Sequence, residues 1–310
     1  MSENLVNQEG TIDRVKHTAI GQYVQSRLFL GLPIEQLPNT TLNQKFGINH
    51  KTTRVGPDEQ YKAIYFCIGD GGSGMEKLAD RPAIPDLYDH DPSDCALYHH
   101  LPFVLRPINN DLTNEQRSRY RLRRKELHNG IEYFAYYARV LSYEATTRIL
   151  AESVVKGVSD VKPYEFTENN LSPKEPTLQV REKVTASNTK LKVSTGASLI
   201  FDENDIRELI NVSKILYGTA RYAVITEMSI VGGVDDQNYT SPDDGKRINE
   251  LKMATTICFF NTYHLLSYTN TGFKEVVELG EKTPLPTTSK VLATVSSSSG
   301  SPDIGRGVGG

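Results

Sequence analysis

The chain has 310 residues and a net charge of −3 at pH 7, so it lacks the basic excess that would favour nucleic acid as the main partner. Three widely spaced cysteines do not suit a disulfide framework and indicate a reducing compartment. The first ten residues hold no apolar run, and no run of about eighteen apolar residues occurs later. The sequence therefore predicts neither a signal peptide nor a membrane span.

The first half of the chain predicts one helix and one buried strand before a proline-rich stretch. A short helix is expected at 20–32, where Gly31 and Pro33 end it. Both alternating sets of residues 61–68 are apolar, which predicts a strand covered on both faces. The strand ends at the glycine-rich turn 69–74. Residues 75–112 contain five prolines and are expected to form loops.

A capping box at 113–116 predicts a helix over 113–128 that ends before Asn129-Gly130. A strand is expected at 131–143. Breaker pairs such as Ser172-Pro173 predict a linker or long loop over 156–176.

The second half predicts alternating strands around one strong helix. Strands are expected at 177–195, with a turn at 186–188, and at 221–231 and 251–266, on either side of a polar loop at 234–249. The helix at 202–217 has acidic residues at its start, an apolar stripe and Gly218 at its end. The Gly/Ser/Pro tail 283–310 is either disordered or an arm that orders on a neighbour.

These elements predict an α+β, β-rich fold, with antiparallel sheets, a few packed helices and extended terminal arms. Five segments are expected along the chain. They are an N-terminal arm with a short helix at 1–55, a β-rich subdomain with an inserted basic helix at 56–155, the linker 156–176, an α+β subdomain at 177–282 and the flexible tail 283–310.

The turn 69–74 does not suit nucleotide binding. Gly69 and Gly74 match the outer glycines of a phosphate-binding loop, but Met75 and Glu76 follow where Lys and Ser or Thr are required. Two prolines also stand where a dinucleotide fold needs a helix. The sequence therefore predicts no cofactor.

The stretch 86–100 is dense in metal-capable side chains but has no known ligand spacing. A polar surface loop is favoured over a metal site, and a metal-dependent enzyme stays open as the alternative of another class. No arrangement of a nucleophile with a base stands out, so a non-enzymatic protein is expected. The metal-capable residues are Asp86, Asp89, His90, Asp91, Asp94, Cys95, His99 and His100.

A basic run lies within the predicted helix 113–128. It could contact a nucleic acid backbone, or it could pair with the acidic pairs Asp235-Asp236 or Asp243-Asp244 of a neighbouring subunit. The net charge of −3 favours the pairing between subunits. The run consists of Arg117, Arg119, Arg121, Arg123, Arg124 and Lys125.

Two segments resemble elements of phage tail-collar, tail-fibre attachment and baseplate proteins. The segment AIYFCIGDGG at 63–72 resembles the apolar strand and GDG-G turn near the start of such domains. The segment AVITEMSIVGG at 223–233 resembles the strand that closes them, which is followed by a glycine- or aspartate-rich turn.

The resemblance implies a virion structural protein in a tail or baseplate, assembled in the host cytoplasm, with a neck or collar protein as an alternative. It implies contacts with other virion proteins and homo-oligomers. The net charge argues against nucleic acid as a partner, and the lack of a long apolar run argues against a membrane. The residues expected at subunit contacts are Asp70, Gly71, Gly72, Arg117, Arg121, Arg124 and Glu227.

Overall fold

A computed structural model describes most of the chain between residues 15 and 279. The predicted tail 283–310, the strand expected at 177–185 and residues 1–14 of the N-terminal arm lie outside the described residues. The described ranges are 15–35, 41–48, 54–74, 87–155, 158–168, 189–269 and 272–279.

Strands make up most of the described structure. The helices are α1 (Ala19–Phe29), α2 (Thr41–Phe46), α3 (Asn114–Ser118) and α4 (Glu203–Tyr217). The strands are β1 (Val15–His17), β2 (Lys62–Gly69), β3 (His100–Leu101), β4 (Val104–Pro107), β5 (Tyr120–His128), β6 (Ile131–Val140), β7 (Ser142–Val155), β8 (Val158–Pro163), β9 (Thr189–Asp202), β10 (Val224–Thr240), β11 (Arg247–Leu265) and β12 (Gly272–Leu279).

The strands of the described ranges form two antiparallel sheets. The larger, eight-stranded sheet has the order β1-β11-β10-β2-β6-β4, with β3 beside β2 and β5 beside β6. The smaller sheet has the order β12-β9-β7-β8. This arrangement confirms the predicted β-rich α+β class with antiparallel sheets. In the described part of the chain, no helix is both long and apolar enough to cross a membrane.

Strand β2 lies inside the larger sheet and is covered on both faces, as its sequence predicted. Phe66 and Ile68 pack into one apolar cluster together with α4. Tyr65 and Cys67 point to the other face and pack with α2. Because β2 lies between β10 and β6, it also fixes the position of the glycine-rich turn that follows it.

Helix α4 confirms the helix predicted at 202–217. Asp202 is its N-cap and forms a reciprocal capping box with Asp205, while Gly218 ends it in the left-handed conformation at φ 73°. The apolar stripe that includes Ile206 and Ile210 is buried against the larger sheet. Burial of this stripe holds the end of α4 beside the turn after β2.

The helix predicted over 113–128 is wrong beyond Ser118. The capping box at Thr113 is present, but α3 covers only Asn114–Ser118 and the chain then enters strand β5. β5 pairs with β6 along its length, and Asn129 and Gly130 form the two-residue turn between them at φ 50° and 78°. An Asn-Gly pair is a strong hairpin signal, and this hairpin prevails over local helix propensity.

Gly130→Ala is expected to lower the free energy of unfolding by about 1 kcal/mol, because a Cβ is unfavourable at a positive φ. No atom lies within 4 Å of the position that this Cβ would occupy, so the loss comes from the backbone alone. Urea unfolding checks the value. Gly130→Asn is the matched control and should lose less, because asparagine adopts a positive φ more readily than alanine; an equal loss in both variants would contradict the explanation.

Two predicted loops are partly strands. Residues 158–163 of the predicted linker form β8, which pairs with β7, and part of that linker lies outside the described residues. The polar loop predicted at 234–249 shrinks to 241–246, because β10 and β11 continue their pairing to Thr240 and Arg247. Strand β2 pairs with β10, and β7 pairs with β9. Each of these pairs joins a strand of the predicted subdomain 56–155 to a strand of the predicted subdomain 177–282.

Candidate functional site around Glu227

The two segments that carry the family resemblance lie side by side in the larger sheet. In the antiparallel pair of β2 and β10, Glu227 is opposite Gly69. The hydroxyl of Thr226 accepts a hydrogen bond of 2.9 Å from the Gly72 N–H. The fold therefore brings the glycine-rich turn after β2 directly onto the start of β10.

Glu227 is fully buried and bound by several donors. Its Oε1 accepts from the N–H of Gly71 at 3.1 Å and of His99 at 2.9 Å. Its Oε2 accepts from the N–H of Tyr98 at 3.0 Å and lies 2.9 Å from His90 Nε2. These bonds offset the desolvation of the carboxylate and tie two loops to β10.

The glycines of the turn allow this close approach. A Cβ on Gly69 would lie 2.3 Å from the His99 carbonyl oxygen, and a Cβ on Gly71 would lie 2.7 Å from the His99 nitrogen. Turns of this kind can present N–H groups to a phosphate. Here the Gly71 N–H points to the chain's own carboxylate, Glu227.

His90 completes the group of residues that we call the Glu227 cluster: Glu227, His90, Asp94, Gly71, Tyr98 and His99. Its Nδ1 lies 3.0 Å from Asp94 Oδ2. The buried ring is stacked between Tyr98 and Phe259, with centroid distances of 4.2 and 3.9 Å. His90 thereby fixes the loop that carries Tyr98.

Asp70 links the same loop to the end of α4. His99 Nδ1 lies 2.5 Å from Asp70 Oδ1, and the Tyr217 hydroxyl donates to Asp70 Oδ2 at 2.6 Å. The hydrogen bond to Asp70 raises the pKa of His99. Burial, together with the bond to Asp70, raises the pKa of the Tyr217 hydroxyl. Three separate parts of the chain are therefore fixed at one surface position.

Exposed aromatic side chains lie above the Glu227 cluster. Tyr88 and Tyr98 are each 50% exposed and meet edge to face at 6.4 Å. Tyr217 is 38% exposed and meets Tyr222 edge to face at 6.0 Å. We call Tyr88, Tyr98, His99, Tyr217 and Tyr222 the tyrosine surface. The backbone N–H groups of Tyr98 and His99 donate to the buried Glu227, so a partner would meet a surface that is already ordered.

Four residues expected at subunit contacts, Asp70, Gly71, Gly72 and Glu227, lie together in this region. The three arginines of the set do not join them. Arg117 pairs with Asp111, Arg121 with Asp235 and Arg124 with Glu250, each at 2.8 to 2.9 Å within the chain. Asp235 was proposed as a partner across a subunit boundary, and in the structure its partner belongs to the same chain.

Arg123 is the most buried member of the basic run, and it has two acidic partners. Its guanidinium lies 3.4 Å above the centroid of Phe134 and pairs with Asp111 at 2.9 Å and Asp244 at 2.7 Å. Burial opposes ionisation of Asp244, but the hydrogen bond from Arg123 and a backbone N–H outweigh it and lower its pKa to about 2.

The stability of the fold is expected to fall in acid as Asp244 is protonated. Its lowered pKa contributes stability that is present above about pH 4 and is lost as the pH falls toward 2, by about 2 kcal/mol. Urea unfolding at about pH 5 and pH 2.5 measures this change. Asp244→Asn should flatten the dependence, and an unchanged slope in that variant would show that other carboxylates cause it.

The histidines of the stretch 86–100 face protein groups. His90 and His99 contact carboxylates, and His100 Nε2 accepts from the Leu97 N–H at 3.2 Å. Burial lowers the pKa of His100 well below its usual range. Among the residues that the structure describes, no three His, Cys, Asp or Glu side chains are grouped to hold a metal ion. Asp86 lies outside the described residues.

A family model described as a family of unknown function, DUF7208, matches residues 4–294. The chain belongs to this family. No curated protein matches the chain. No solved structure matches it either.

Sequence reasoning on this DUF7208 member identified Asp70 and Glu227 but missed the roles of His90, Tyr98 and Tyr217. A usable signal was present: a carboxylate inside an apolar strand requires donors. The glycine-rich turn was a candidate source of N–H groups. What the sequence did not show was the register that places Glu227 opposite Gly69.

Proposed function

We propose that this chain is a non-enzymatic structural component of a tailed-phage virion, which joins subunits in the baseplate or at the tail-fibre attachment point. The observation that carries the proposal is the tyrosine surface held by the Glu227 cluster. Glu227 and Gly71 of this cluster belong to the two segments that resemble phage attachment proteins, and the two segments contact each other.

The chemistry of this surface suits protein contacts. Tyrosine side chains provide apolar contact area with little loss of conformational entropy and are enriched at the centres of interfaces. Tyr88 and Tyr98 are half exposed, while the loop below them is bound to the buried Glu227. A partner would therefore bind an ordered surface, which lowers the entropic cost of association.

The smaller sheet offers more uncovered apolar area for assembly. Val161 on β8 is 50% exposed, and Leu191 and Val193 on β9 are 53% and 41% exposed. Contacts with other virion proteins or with further copies of this chain would cover this sheet.

The same features serve a neck or collar position in the particle. A metal-dependent enzyme gains no comparable support, because the three histidines of the stretch 86–100 are directed at protein groups rather than at one another. The proposal places the chain in the tail or baseplate, after assembly in the host cytoplasm.

Light scattering of the purified chain, alone and mixed with other virion proteins, tests the proposal. We expect a stable oligomer, or a monomer that enters a larger complex. The double variant Tyr88→Ser/Tyr98→Ser should weaken that association at least tenfold. Phe166→Ser, which removes another aromatic ring that is 55% exposed, is the matched control and should leave association unchanged.

Immunogold labelling of particles tests the location independently of affinity. Label at the tail or baseplate is the expected result. A chain that stays monomeric with every virion protein, or that is missing from purified particles, would overturn the proposal. If the Phe166→Ser control weakens association equally, the tyrosine surface is not the contact and no longer supports the proposal.

A further inference from the structure

A polar cleft of about 530 Å³ lies near the far end of β10 from Glu227. Its volume falls within the range of small-ligand sites. Residues 58–62 before and at the start of β2 form one wall, and residues 233–239 of β10 form another. Buried Ile48, Val234 and Leu251 contribute to its lining.

Irregular backbone surrounds this cleft. The pairing of β10 with β11 shifts register between Val234 and Asp235 and again between Asp236 and Tyr239. Behind the cleft, the fully buried Leu122 has a φ of 55°, and its N–H donates to Glu250 Oε1 at 2.7 Å. Bulges and residues with positive φ are concentrated at binding sites, where they direct side chains to a ligand.

The charges of the cleft are largely compensated within the chain. Asp235 pairs with Arg121 at 2.8 Å and Glu250 with Arg124 at 2.9 Å. Glu59 pairs with Lys252 at 2.5 Å. A cationic ligand would compete with these basic side chains, and an anionic ligand would meet the carboxylates. Asp58, Asp236 and Lys62 also line the cleft, so five acidic residues face three basic residues of the lining and Arg121. This near-balance of charge favours an uncharged ligand.

The remaining groups of the cleft are directional. Gln60 and Asn238 have exposed amide side chains, and Tyr239 presents a half-buried ring. Amides both donate to and accept from hydroxyl groups and carboxylates accept from them, while an aromatic ring and apolar side chains suit a C–H face. Hydroxyl groups on one edge and C–H groups on a face are combined in saccharides.

We propose that this cleft binds a neutral saccharide. The ring of Tyr239 lies against the C–H face of a sugar unit, and Gln60 and Asn238 bind its hydroxyl groups. Asp235 accepts a further hydrogen bond from a hydroxyl group without leaving Arg121. Glu250 already accepts from the N–H groups of Leu122, Arg123 and Leu251 and from Arg124, and it holds the wall of the cleft. This activity is separate from the assembly role, because its residues belong to neither the Glu227 cluster nor the tyrosine surface.

A glycan array with neutral, amino and acidic sugars tests the proposal on the full chain, followed by calorimetry with the neutral glycan that binds best. Tyr239→Ala and Asn238→Ala should each weaken binding about tenfold or more, since each removes a directional contact. Tyr268→Ala, which removes a ring that is 58% exposed near the opposite end of β11, should bind as the wild type does.

Spermidine and inorganic phosphate serve as charged probes in the same calorimeter. The absence of any neutral glycan from the array hits would overturn the proposal. So would binding of a charged probe alone, or glycan binding that survives both cleft substitutions. Unfolding curves of the variants show whether a loss of binding reflects a loss of fold, and circular dichroism should match the wild type.

Discussion

Glu227→Ala is expected to lower the free energy of unfolding by about 4 kcal/mol, the largest effect of any single substitution considered for this chain. The change removes the acceptor of three backbone N–H groups, those of Gly71, Tyr98 and His99, and the partner of His90 Nε2. Each donor would then lose its partner, and the buried ring of His90 would lose the carboxylate beside it. Urea unfolding monitored by circular dichroism measures the loss.

Two controls separate this explanation from the removal of a charge. Glu132→Ala removes a carboxylate that is 45% exposed and pairs with Lys125, and it should change the unfolding free energy by less than about 1 kcal/mol. Glu227→Gln keeps one oxygen acceptor, so its loss of unfolding free energy should lie between those of Glu132→Ala and Glu227→Ala. A loss below about 1 kcal/mol in Glu227→Ala would mean that the loops find other acceptors.

Arg123→Ala is expected to cost about 3 kcal/mol of stability. The guanidinium is 2% exposed, contacts the ring of Phe134 and pairs with two carboxylates. Removing it leaves Asp244 without its main partner and opens a space over the ring. Thermal and urea unfolding at neutral pH measure the effect.

Arg207→Ala is the control, because that arginine is 59% exposed and, within the described ranges, pairs with Glu203 alone on the same helix. It should lie within about 0.5 kcal/mol of the wild type. If Arg123→Ala also lies within about 0.5 kcal/mol of the wild type, the ion pairs around Arg123 contribute little to the free energy of unfolding. Arg123→Met, which restores apolar volume over Phe134, should recover part of the loss by repacking the space.

Local sequence patterns identified the elements whose packing agrees with their propensity. Helix α4 has a capping box, an apolar stripe and a terminal glycine, and all three favour the same structure. Strand β2 is apolar on both faces and is covered on both faces. In such segments a short window of sequence holds the information that decides the conformation.

The basic run shows where local information was insufficient. Its capping box correctly predicted the start of α3, but the pairing of β5 with β6 decided the residues that follow. The Asn129-Gly130 pair was interpreted as a helix end, although it is also the preferred sequence of a two-residue hairpin turn. Choosing between them requires the partner strand, which lies after the turn.

The candidate site depends on contacts that a single sequence does not reveal. Asp70 and Glu227 were found through the resemblance of their segments to a known pattern. The tyrosine surface joins residues from the loop before β3 with residues at and just after the end of α4, and Asp70 of the turn after β2 links them. Its members are far apart in the chain, and tyrosine has no local pattern that separates an interface residue from a core residue.

The strand order also determines when the chain can fold during its synthesis. β1, near the beginning of the chain, pairs with β11, and β2 pairs with β10. A nascent chain that has not yet exposed β10 and β11 outside the ribosome therefore leaves β1 without its partner strand and one edge of β2 open to other molecules. Translation has to pass residue 265 before the larger sheet can be completed. Slow translation of the second half of the chain would therefore favour aggregation of the first half.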